Sequence, residues 1–388
     1  MPKQTPLLSC LSASLLFLYI IFQMTVFNAS SVALTQQFGL SPVAIGNVSS
    51  IYFYSAALAL IPYGLLLDHY PTRRPGLVIM ALCVGATILL GMRPSLLNLG
   101  IYRAVCGLTN SLVFLICMRQ APMWFPRKIS VAIGLMITVG MLGGMMEYPF
   151  SLIVAAVSWQ AALLMDAGLG VILFGLAYLF LRDARTPTMH EHLQLWKHFQ
   201  KALSVKENFL CGMFTGCLNL PVLLLGATWG DRYLIGSRGL SGGQSSLVIS
   251  MIFFGMIFAS PFFGWFADFC RSRRQAMLLG CAASIAVMLA IVFIHTTSMP
   301  GLAALFFLLG FMCTSQIISY TVVNEVNSRE SASTAMSLVS ILIYGIAAIG
   351  NPLFGEIVKV SSVNMAILIL PIAFGLSITC GLFVNAKR

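Results

Sequence analysis

The chain has 388 residues, of which 59% are hydrophobic and only 9% are charged. An ordinary soluble domain is about 25% charged, so the composition excludes a typical soluble protein and indicates an integral membrane protein. The formal net charge of +11 does not indicate nucleic-acid binding, because the basic residues lie in short clusters between apolar runs. The ten cysteines form no CxxC pair, so we expect small buried residues and no metal or redox site.

Apolar runs long enough to cross a bilayer, which takes about 20 helical residues, recur along the whole chain. We predict spans at residues 7–35, 43–67, 75–92, 96–120, 129–154, 160–181, 208–230, 245–267, 275–295, 300–323, 332–354 and 364–384. The first run has too long an apolar core for a cleaved signal peptide, so we expect it to be the first spanning helix.

The basic residues between these runs predict the orientation. If both termini are cytoplasmic, seventeen lysines and arginines lie on the cytoplasmic side and only Arg93, Arg232, Arg238 and Lys359 lie outside. This asymmetry follows the positive-inside rule and supports an even number of spans. The compact loops and the absence of organelle signals favour a bacterial cell inner membrane.

The longest polar stretch lies at the middle of the chain, from Arg182 to Asn208. It predicts an N-terminal six-helix bundle at residues 1–181, a cytoplasmic linker at 182–207 and a C-terminal six-helix bundle at 208–388. The spacing His190-Glu191-His192 is also compatible with a metal site. We favour a linker with an amphipathic segment at the membrane surface, and expect no metal.

One motif occurs twice, 200 residues apart. Its first copy contains Gly64, Asp68, Arg73 and Arg74, and its second contains Gly264, Asp268, Arg273 and Arg274. A further echo links Pro149 to Pro352 at an offset of 203. Because the offset is close to half the chain, the sequence predicts two duplicated halves.

The repeated Gly-x-x-x-Asp-x-x-x-x-Arg-Arg resembles the signature loop of the major facilitator superfamily. Arg103-x-x-x-Gly107 and Gly140-Met-Leu-Gly143-Gly144 resemble the helix-4 and helix-5 motifs of that family, with methionine where many antiporters have proline. The resemblance covers the whole chain. It implies an all-α integral membrane fold of twelve transmembrane helices in two pseudo-symmetric six-helix bundles. It also implies that the repeated loops are gating latches on the cytoplasmic side.

Each charged residue inside a predicted span raises the free energy of membrane insertion by about 2.5–3.5 kcal/mol, so we expect such a residue to have a structural or functional role. Arg103 and Glu147 lie at similar depth on consecutive helices, so they could meet. Such a pair is either structural, or a coupling site in which Glu147 takes a proton and releases Arg103 for substrate. Arg119 either reaches back to the interface or joins Arg103 as an anion-binding group. Asp166 has no evident partner and is left unassigned.

The family resemblance implies that helices 1, 4, 7 and 10 line a central cavity. Polar residues on those helices are therefore substrate-binding candidates, namely Tyr19, Gln23, Asn28, Arg103, Arg119, Asn219, Gln316, Tyr320 and Asn324. The alternative for a lone amide is a hydrogen bond that only joins two helices. Gln23 stands where a similar motif of drug/proton antiporters has an acidic residue, which disfavours proton-coupled drug efflux.

Together these features predict a secondary active transporter that moves a small polar, anionic or zwitterionic solute by alternating access, with proton symport left open. The alternatives are an exporter of a metabolite, siderophore or drug, and a membrane sensor or receptor. The sequence has no Gly-x-x-x-x-Gly-Lys loop for ATP, and no predicted span contains a His-Glu-x-x-His or Gly-x-Ser-x-Gly catalytic motif, so we expect no enzyme. We also expect no cofactor, no nucleic-acid partner and a monomer.

Overall fold

The computed structural model describes residues 5–125, 129–183, 200, 202–270, 272–294, 298–327 and 332–385. Most of the predicted linker, including His190-Glu191-His192, lies outside these ranges. The side chains of Asp68 and Asp268 from the predicted latches also lie outside the described part.

Twelve helices of the described chain are long and apolar enough to cross a membrane, which confirms the predicted count. They are α1 Leu7–Ala29, α2 Pro42–Leu67, α3 Arg73–Met92, α4 Leu96–Ala121, α5 Ala132–Ala156, α6 Trp159–Phe180, α7 Lys206–Arg238, α8 Gly242–Ala267, α9 Arg273–Phe293, α10 Met299–Val326, α11 Thr334–Val360 and α12 Val363–Phe383.

Three predicted boundaries were wrong by six residues or more, and one of them is the end of α11, which was predicted at residue 354 but lies at Val360. The first span was predicted to reach residue 35, but α1 ends at Ala29 and a separate short helix, Ser31–Phe38, follows it. Gly39 ends that short helix in the left-handed region, with a φ of 61°, which glycine adopts without steric cost. The seventh span was predicted to end at residue 230, but α7 continues to Arg238. Arg232 and Arg238 therefore lie in the last turns of α7 and not in a loop.

The chain divides into two compact units, residues 1–40 with 48–189 and residues 41–47 with 190–388. In the first unit α1 packs against α4, α5 and α6, and α3 packs against α4 and α6. In the second unit α7 packs against α10, α11 and α12, and α9 packs against α10 and α12. Each pair of the first unit thus recurs six helices later, which confirms two pseudo-symmetric six-helix bundles.

Four of these helices are interrupted, and in α12 the break lies between Ala366 and Ile369. In α7 the segment Pro221–Trp229 is π-helical, and in α10 the segment Thr314–Gln316 is a 3-10 turn. In α5 the regular helix ends at Met145 and begins again at Glu147. Proline removes a backbone donor and crowds the preceding turn, which explains the interruption at Pro221. Irregular turns inside helices are frequent at functional sites.

The glycines of α5 allow close contact with α1. A Cβ atom at Gly143 would lie 2.0 Å from the backbone oxygen of Leu18, and one at Gly140 would lie 2.1 Å from the ring of Phe17. Only glycine fits at such distances. A Cβ at Gly134, in contrast, would meet nothing within 4 Å. Gly140 and Gly143 therefore serve close helix packing, which is one of the uses of small residues in membranes.

Candidate substrate and coupling sites

Arg103 lies on α4 with its side chain fully buried. Its Nη2 donates to the backbone oxygen and to Oγ of Ser49, each at 3.2 Å. The guanidinium carbon lies 4.5 Å from the ring centre of Phe27 and 4.8 Å from that of Tyr52, within the range of cation–π attraction. Within the described residues, Nε and Nη1 have no hydrogen-bond acceptor. Arg103 is thus a buried cation that lies between two aromatic rings and has two nitrogen donors without an acceptor among the described residues.

Glu147 is also fully buried, at the residue where α5 begins again after its interruption. Its Oε1 accepts a hydrogen bond of 2.6 Å from Nδ2 of Asn28 on α1. The start of a helical segment favours negative charge, because the backbone N–H groups point toward it.

Arg103 and Glu147 do not form the direct pair that their depth suggested. Arg103 contacts Ser49, Phe27 and Tyr52, whereas Glu147 contacts Asn28. Phe27 and Asn28 are consecutive residues of α1. The two charged side chains are therefore linked through the backbone of α1 and not through an ion pair.

Asp166, left unassigned from the sequence, has a partner on α1. Gln23 Nε2 donates to Asp166 Oδ2 at 2.6 Å, and Tyr102 Oη donates to Gln23 Oε1 at 2.6 Å. All three side chains are buried. Tyr19, also buried, lies against α6, because a Cβ at Gly170 would come within 2.5 Å of its hydroxyl oxygen. The polar residues of α1 are thus held by α4, α5 and α6 of their own unit.

In the second unit, the interruptions of α7 and α10 face each other. Gln316, the last residue of the 3-10 turn, donates from Nε2 to Oδ1 of Asn219 at 2.9 Å. Asn219 lies just before the π-helical segment of α7. The hydroxyls of Thr215 and Ser319 form a second hydrogen bond between the same two helices. The structure therefore brings two of the predicted site residues together at irregular backbone.

The other two candidates on α10 lie elsewhere. Tyr320 is half-buried and lies near Ser340 and Tyr344 of α11. Asn324 is exposed, toward the end of α10. Neither is among the contacts that join Asn219 to Gln316.

Arg119 binds the end of α2. Its Nη1 donates to the backbone oxygen of Leu67 at 2.5 Å, and its Nη2 donates to that of Gly64 at 3.3 Å. A cation there satisfies the last carbonyls of a helix and favours its negative end. Arg119 was predicted either to reach the membrane interface or to bind an anion together with Arg103. Its half-buried position at the end of α2 favours the first of these roles.

The repeated loops contact the ends of helices in their own units. The backbone N–H of Arg73 donates to Asp183 Oδ1 at 2.9 Å, and its Nη2 donates to the oxygen of Tyr178 at 2.7 Å. Arg273 Nη2 lies 3.4 Å from Glu325 Oε1 at the end of α10. Arg74 is exposed and Arg274 is half-buried, and a Cβ at Gly64 or Gly264 would meet nothing within 4 Å.

Sequence reasoning missed a buried cluster around Gln120, the residue after Arg119. Gln120 Oε1 accepts from Ser9 Oγ at 3.1 Å and from Trp124 Nε1 at 2.5 Å. Its Nε2 donates to Thr72 Oγ1 at 3.1 Å and to the backbone oxygen of Arg182 at 2.9 Å. One side chain thus joins α1, α4, the start of α3 and the end of α6. A glutamine at the end of an apolar span was the signal available in the sequence.

The second unit has a related contact that was also missed. Asn327 Nδ2 donates to Asn208 Oδ1 at 2.6 Å, and Asn208 Nδ2 donates to Asn327 Oδ1 at 3.2 Å. This reciprocal amide pair joins the start of α7 to the end of α10. In both units, therefore, an amide side chain joins the first helix to the fourth.

Comparison with known proteins agrees with this architecture. The sequence-family model of the Major Facilitator Superfamily matches residues 11–229 and 208–388 of this chain. The crystal structure of a bacterial homologue of the human lysosomal transporter Spinster, inward-facing and unoccupied, has a TM-score of 0.77 at 14% identity over 98% of each chain. Its occupied, inward-facing form has a TM-score of 0.75 at 13% identity, covering 100% of this chain and 99% of that one. At such identities the likeness concerns the fold alone.

Among curated proteins, the uncharacterized transporter YybO of Bacillus subtilis (strain 168) is 31% identical over 105 residues. The matched stretch spans 27% of this chain and 24% of that protein. The family match, in contrast, extends over both bundles. This multi-pass membrane protein therefore belongs to the Major Facilitator Superfamily of transporters.

Proposed function

We propose that this protein is a secondary active transporter that moves a small anionic or zwitterionic solute across the membrane by alternating access. Arg103 carries this proposal. A buried guanidinium is costly in a membrane, and its Nε and Nη1 have no acceptor among the described residues. Carboxylate and phosphate groups are the acceptors that arginine binds best. Phe27 and Tyr52 on its flanks favour a solute with some apolar surface.

Glu147 is the proposed proton-coupling residue. A hydrogen bond from Asn28 is stronger when it is accepted by an ionised carboxylate than by a neutral acid. Proton exchange at Glu147 would therefore change how firmly α1 is held at Asn28, next to the Phe27 ring that contacts Arg103. This gives a route by which a proton and an anion could bind in a coupled way.

Within the second unit, Asn219 and Gln316 are the proposed uncharged solute-binding residues. Asn219 and Gln316 lie where both helices depart from regular α-helix, and Gln316 Oε1 has no hydrogen-bond donor among the described residues. Irregular backbone at membrane depth is tolerated where it lines a cavity or is buried in protein. An amide oxygen in that setting would suit the ammonium or hydroxyl group of a zwitterionic or polar solute.

The loops at residues 64–74 and 264–274 are the proposed gates. Arg73 and Arg273 each contact the end of a helix in their own unit, so each loop is tied to helices that must move in alternating access. Replacing Asp68 with asparagine should strongly reduce transport while the protein still inserts. Normal uptake by that variant would remove the gating role.

We also propose a bacterial inner-membrane location with both termini cytoplasmic, on the basis of the asymmetric distribution of basic residues. Import by proton symport and export of a metabolite, siderophore or drug share the same structural requirements. A sensor or receptor would bind its ligand without catalysing counterflow, which separates it from a transporter.

The first test is a thermal-shift screen of purified protein against carboxylates, phosphates, zwitterions and organic cations. We expect anionic or zwitterionic compounds to raise the Tm of the wild type. They should not raise that of Arg103→Gln, while Arg103→Lys should give a reduced shift because lysine lacks the planar fork. Arg93→Gln is the matched control, because Arg93 is exposed at the end of α3. A set of hits made up of cations, or equal shifts in Arg103→Gln, would contradict the proposal.

The second test uses the hits in proteoliposomes. Wild-type protein should catalyse counterflow and should accumulate the solute when a pH gradient is imposed. Glu147→Gln should retain counterflow and lose accumulation, because a neutral amide cannot exchange a proton. Loss of both activities in a folded variant would instead assign Glu147 to solute binding or to structure.

A further inference from the structure

A second buried carboxyl of the first unit has no role in the function proposed above. Asp166 on α6 is 4% exposed. Its Oδ2 accepts from Gln23, and its Oδ1 has no hydrogen-bond partner among the described residues. Within that part of the chain no lysine or arginine forms an ion pair with it. A buried carboxylate without a cation is costly, so its negative charge must be balanced by another charge or by a proton.

The groups that face Asp166 come from three helices. Tyr19 lies near it from α1, Cys83 from α3 and Tyr102 from α4, and Cys106 of α4 lies near these three side chains. Arg103, which follows Tyr102 in the chain, is the cation next to this cluster. Glu147 of α5 is held separately by Asn28. The neighbours of Asp166 are thus neutral at ordinary pH, and none of them can balance a carboxylate by itself.

Gln23 connects Asp166 to Tyr102 in only one orientation of its amide. Its Nε2 donates to the carboxylate and its Oε1 accepts from the tyrosine hydroxyl, each at 2.6 Å. The amide nitrogen can only donate and the amide oxygen can only accept. The arrangement therefore fits an ionised Asp166 and a tyrosine that donates to Gln23.

A proton on Oδ2 of Asp166, the oxygen that contacts Gln23, would favour the opposite orientation. The protonated carboxyl has an O–H donor, which the amide oxygen can accept only if the amide turns over. Nε2 would then face Tyr102, whose hydroxyl oxygen would have to accept instead of donate. One proton taken up from solvent thus reverses two hydrogen bonds, without any other bond being made or broken.

We propose that Asp166 is a proton-binding site whose occupancy is transmitted by the Gln23 amide to Tyr102, and so to the helix that carries Arg103. Gln23 is a positioning residue in this scheme and does not itself bind the proton. The role in transport rests on the proposed proton-coupled function, but protonation of Asp166 can be observed without any solute.

The test is infrared difference spectroscopy of the protein in lipid vesicles between alkaline and acidic pH. In the wild type we expect the carbonyl stretch of a protonated carboxylic acid to appear on acidification. A tyrosine ring band should shift with the same midpoint. Asp166→Asn should lose the part of the carboxyl band that belongs to Asp166, together with the tyrosine shift. Glu147→Gln should keep the Asp166 band and the tyrosine shift, and it should lose only the band that belongs to Glu147.

Two further variants test the connection through the amide. Tyr102→Phe should keep the carboxyl signal and lose the tyrosine shift. Gln23→Leu should also keep the carboxyl signal, but its tyrosine band should no longer follow the same midpoint. If Asp166→Asn fails to fold, Asp166→Glu is compared with the wild type, both with ¹³C-labelled aspartate. The band of Asp166 moves with the label in the wild type, whereas the corresponding band in Asp166→Glu does not move.

The proposal is overturned if no pH-dependent carboxyl band belongs to Asp166, or if the tyrosine shift survives unchanged in Gln23→Leu. These outcomes are separate from those of the transport assays. An Asp166 signal without proton-driven accumulation would reject the proposed function alone. Proton-driven accumulation that persists in Asp166→Asn, with no Asp166 band in the wild type, would reject this inference alone.

Discussion

Gly107 of α4 lies directly against the backbone of Tyr52 in α2, where a Cβ atom at position 107 would be 2.1 Å from the Tyr52 oxygen. In the second unit, a Cβ at Gly310 of α10 would be 2.0 Å from the backbone oxygen of Ile252 in α8. Tyr52 and Ile252 are 200 residues apart in the sequence, and Gly107 and Gly310 are 203 residues apart. These are the same offsets as those of the repeated motifs. The duplication is thus visible in the packing as well as in the loops.

These two glycines should be sensitive to the smallest possible substitution. Gly107→Ala and Gly310→Ala should each destabilise the protein by about 1–3 kcal/mol, because the methyl group would push two helix backbones apart. Gly85→Ala is the matched control, since a Cβ at Gly85 would meet nothing within 4 Å. Alanine in place of glycine in a helix should there be neutral or stabilising by up to about 1 kcal/mol. Thermal unfolding in detergent measures all three, and equal Tm values would contradict the close contact.

The Asn28–Glu147 hydrogen bond should stabilise the protein mainly by compensating the buried carboxylate of Glu147. Asn28→Leu removes one donor from a buried carboxylate and should cost about 1–3 kcal/mol. Replacing both partners, in Asn28→Leu with Glu147→Met, should restore part of this loss, because the buried charge is then gone. The measurement is the Tm of both variants against the wild type.

Asn98→Leu is the control for this pair. Asn98 donates to the backbone oxygen of Arg93 at an exposed position, so the same substitution should change the Tm little. A double variant less stable than Asn28→Leu alone would show that Glu147 contributes to stability by contacts other than the one to Asn28.

The sequence predicted the number of helices and the existence of buried polar residues, but not which residues meet. Hydropathy gives the depth of a residue in the membrane, and depth is set by a rise of about 1.5 Å per residue. It does not give the rotation of each helix about its axis. A similar predicted depth therefore suggested that Arg103 and Glu147 pair, whereas in the structure Arg103 contacts Phe27 and Glu147 contacts Asn28.

Asp166 and Gln120 illustrate the same limit. Asp166 lies 143 residues from Gln23 in the chain, and no motif connects the two. Gln120 contacts three other segments of the chain, a combination that becomes evident only when the bundle is assembled. Close packing at Gly140 and Gly143 of α5, in contrast, is a common use of glycine in membrane helices that the sequence alone suggests.

Gln120 should be important for the stability of the first unit. Gln120→Leu leaves the partners on α1, on α6 and at the start of α3 without their common contact, and should cost about 1–3 kcal/mol. Gln160→Leu is a matched control, because Gln160 makes an exposed hydrogen bond to Gln37 and its loss should cost under about 0.5 kcal/mol. The Tm values of the two variants decide the question, and a larger effect at Gln160 would be the contrary result.

The contact between Gln316 and Asn219 should couple the interruptions of α7 and α10 energetically. In a double-mutant cycle of Gln316→Ala and Asn219→Ala, the first substitution should already remove the hydrogen bond that the second would remove. We therefore expect a coupling energy of about 0.5–1.5 kcal/mol, the net value of one hydrogen bond.

A cycle of Gln316→Ala with Ser246→Ala is the control, because Ser246 donates to Asp231 and shares no hydrogen-bond partner with Gln316. Its two effects should add within about 0.5 kcal/mol. Additive effects in the Gln316–Asn219 cycle would mean that the two irregular segments are stabilised independently. Strong coupling would mean that a solute binding to either amide must alter both helices, which is the behaviour expected of a site that closes around its cargo.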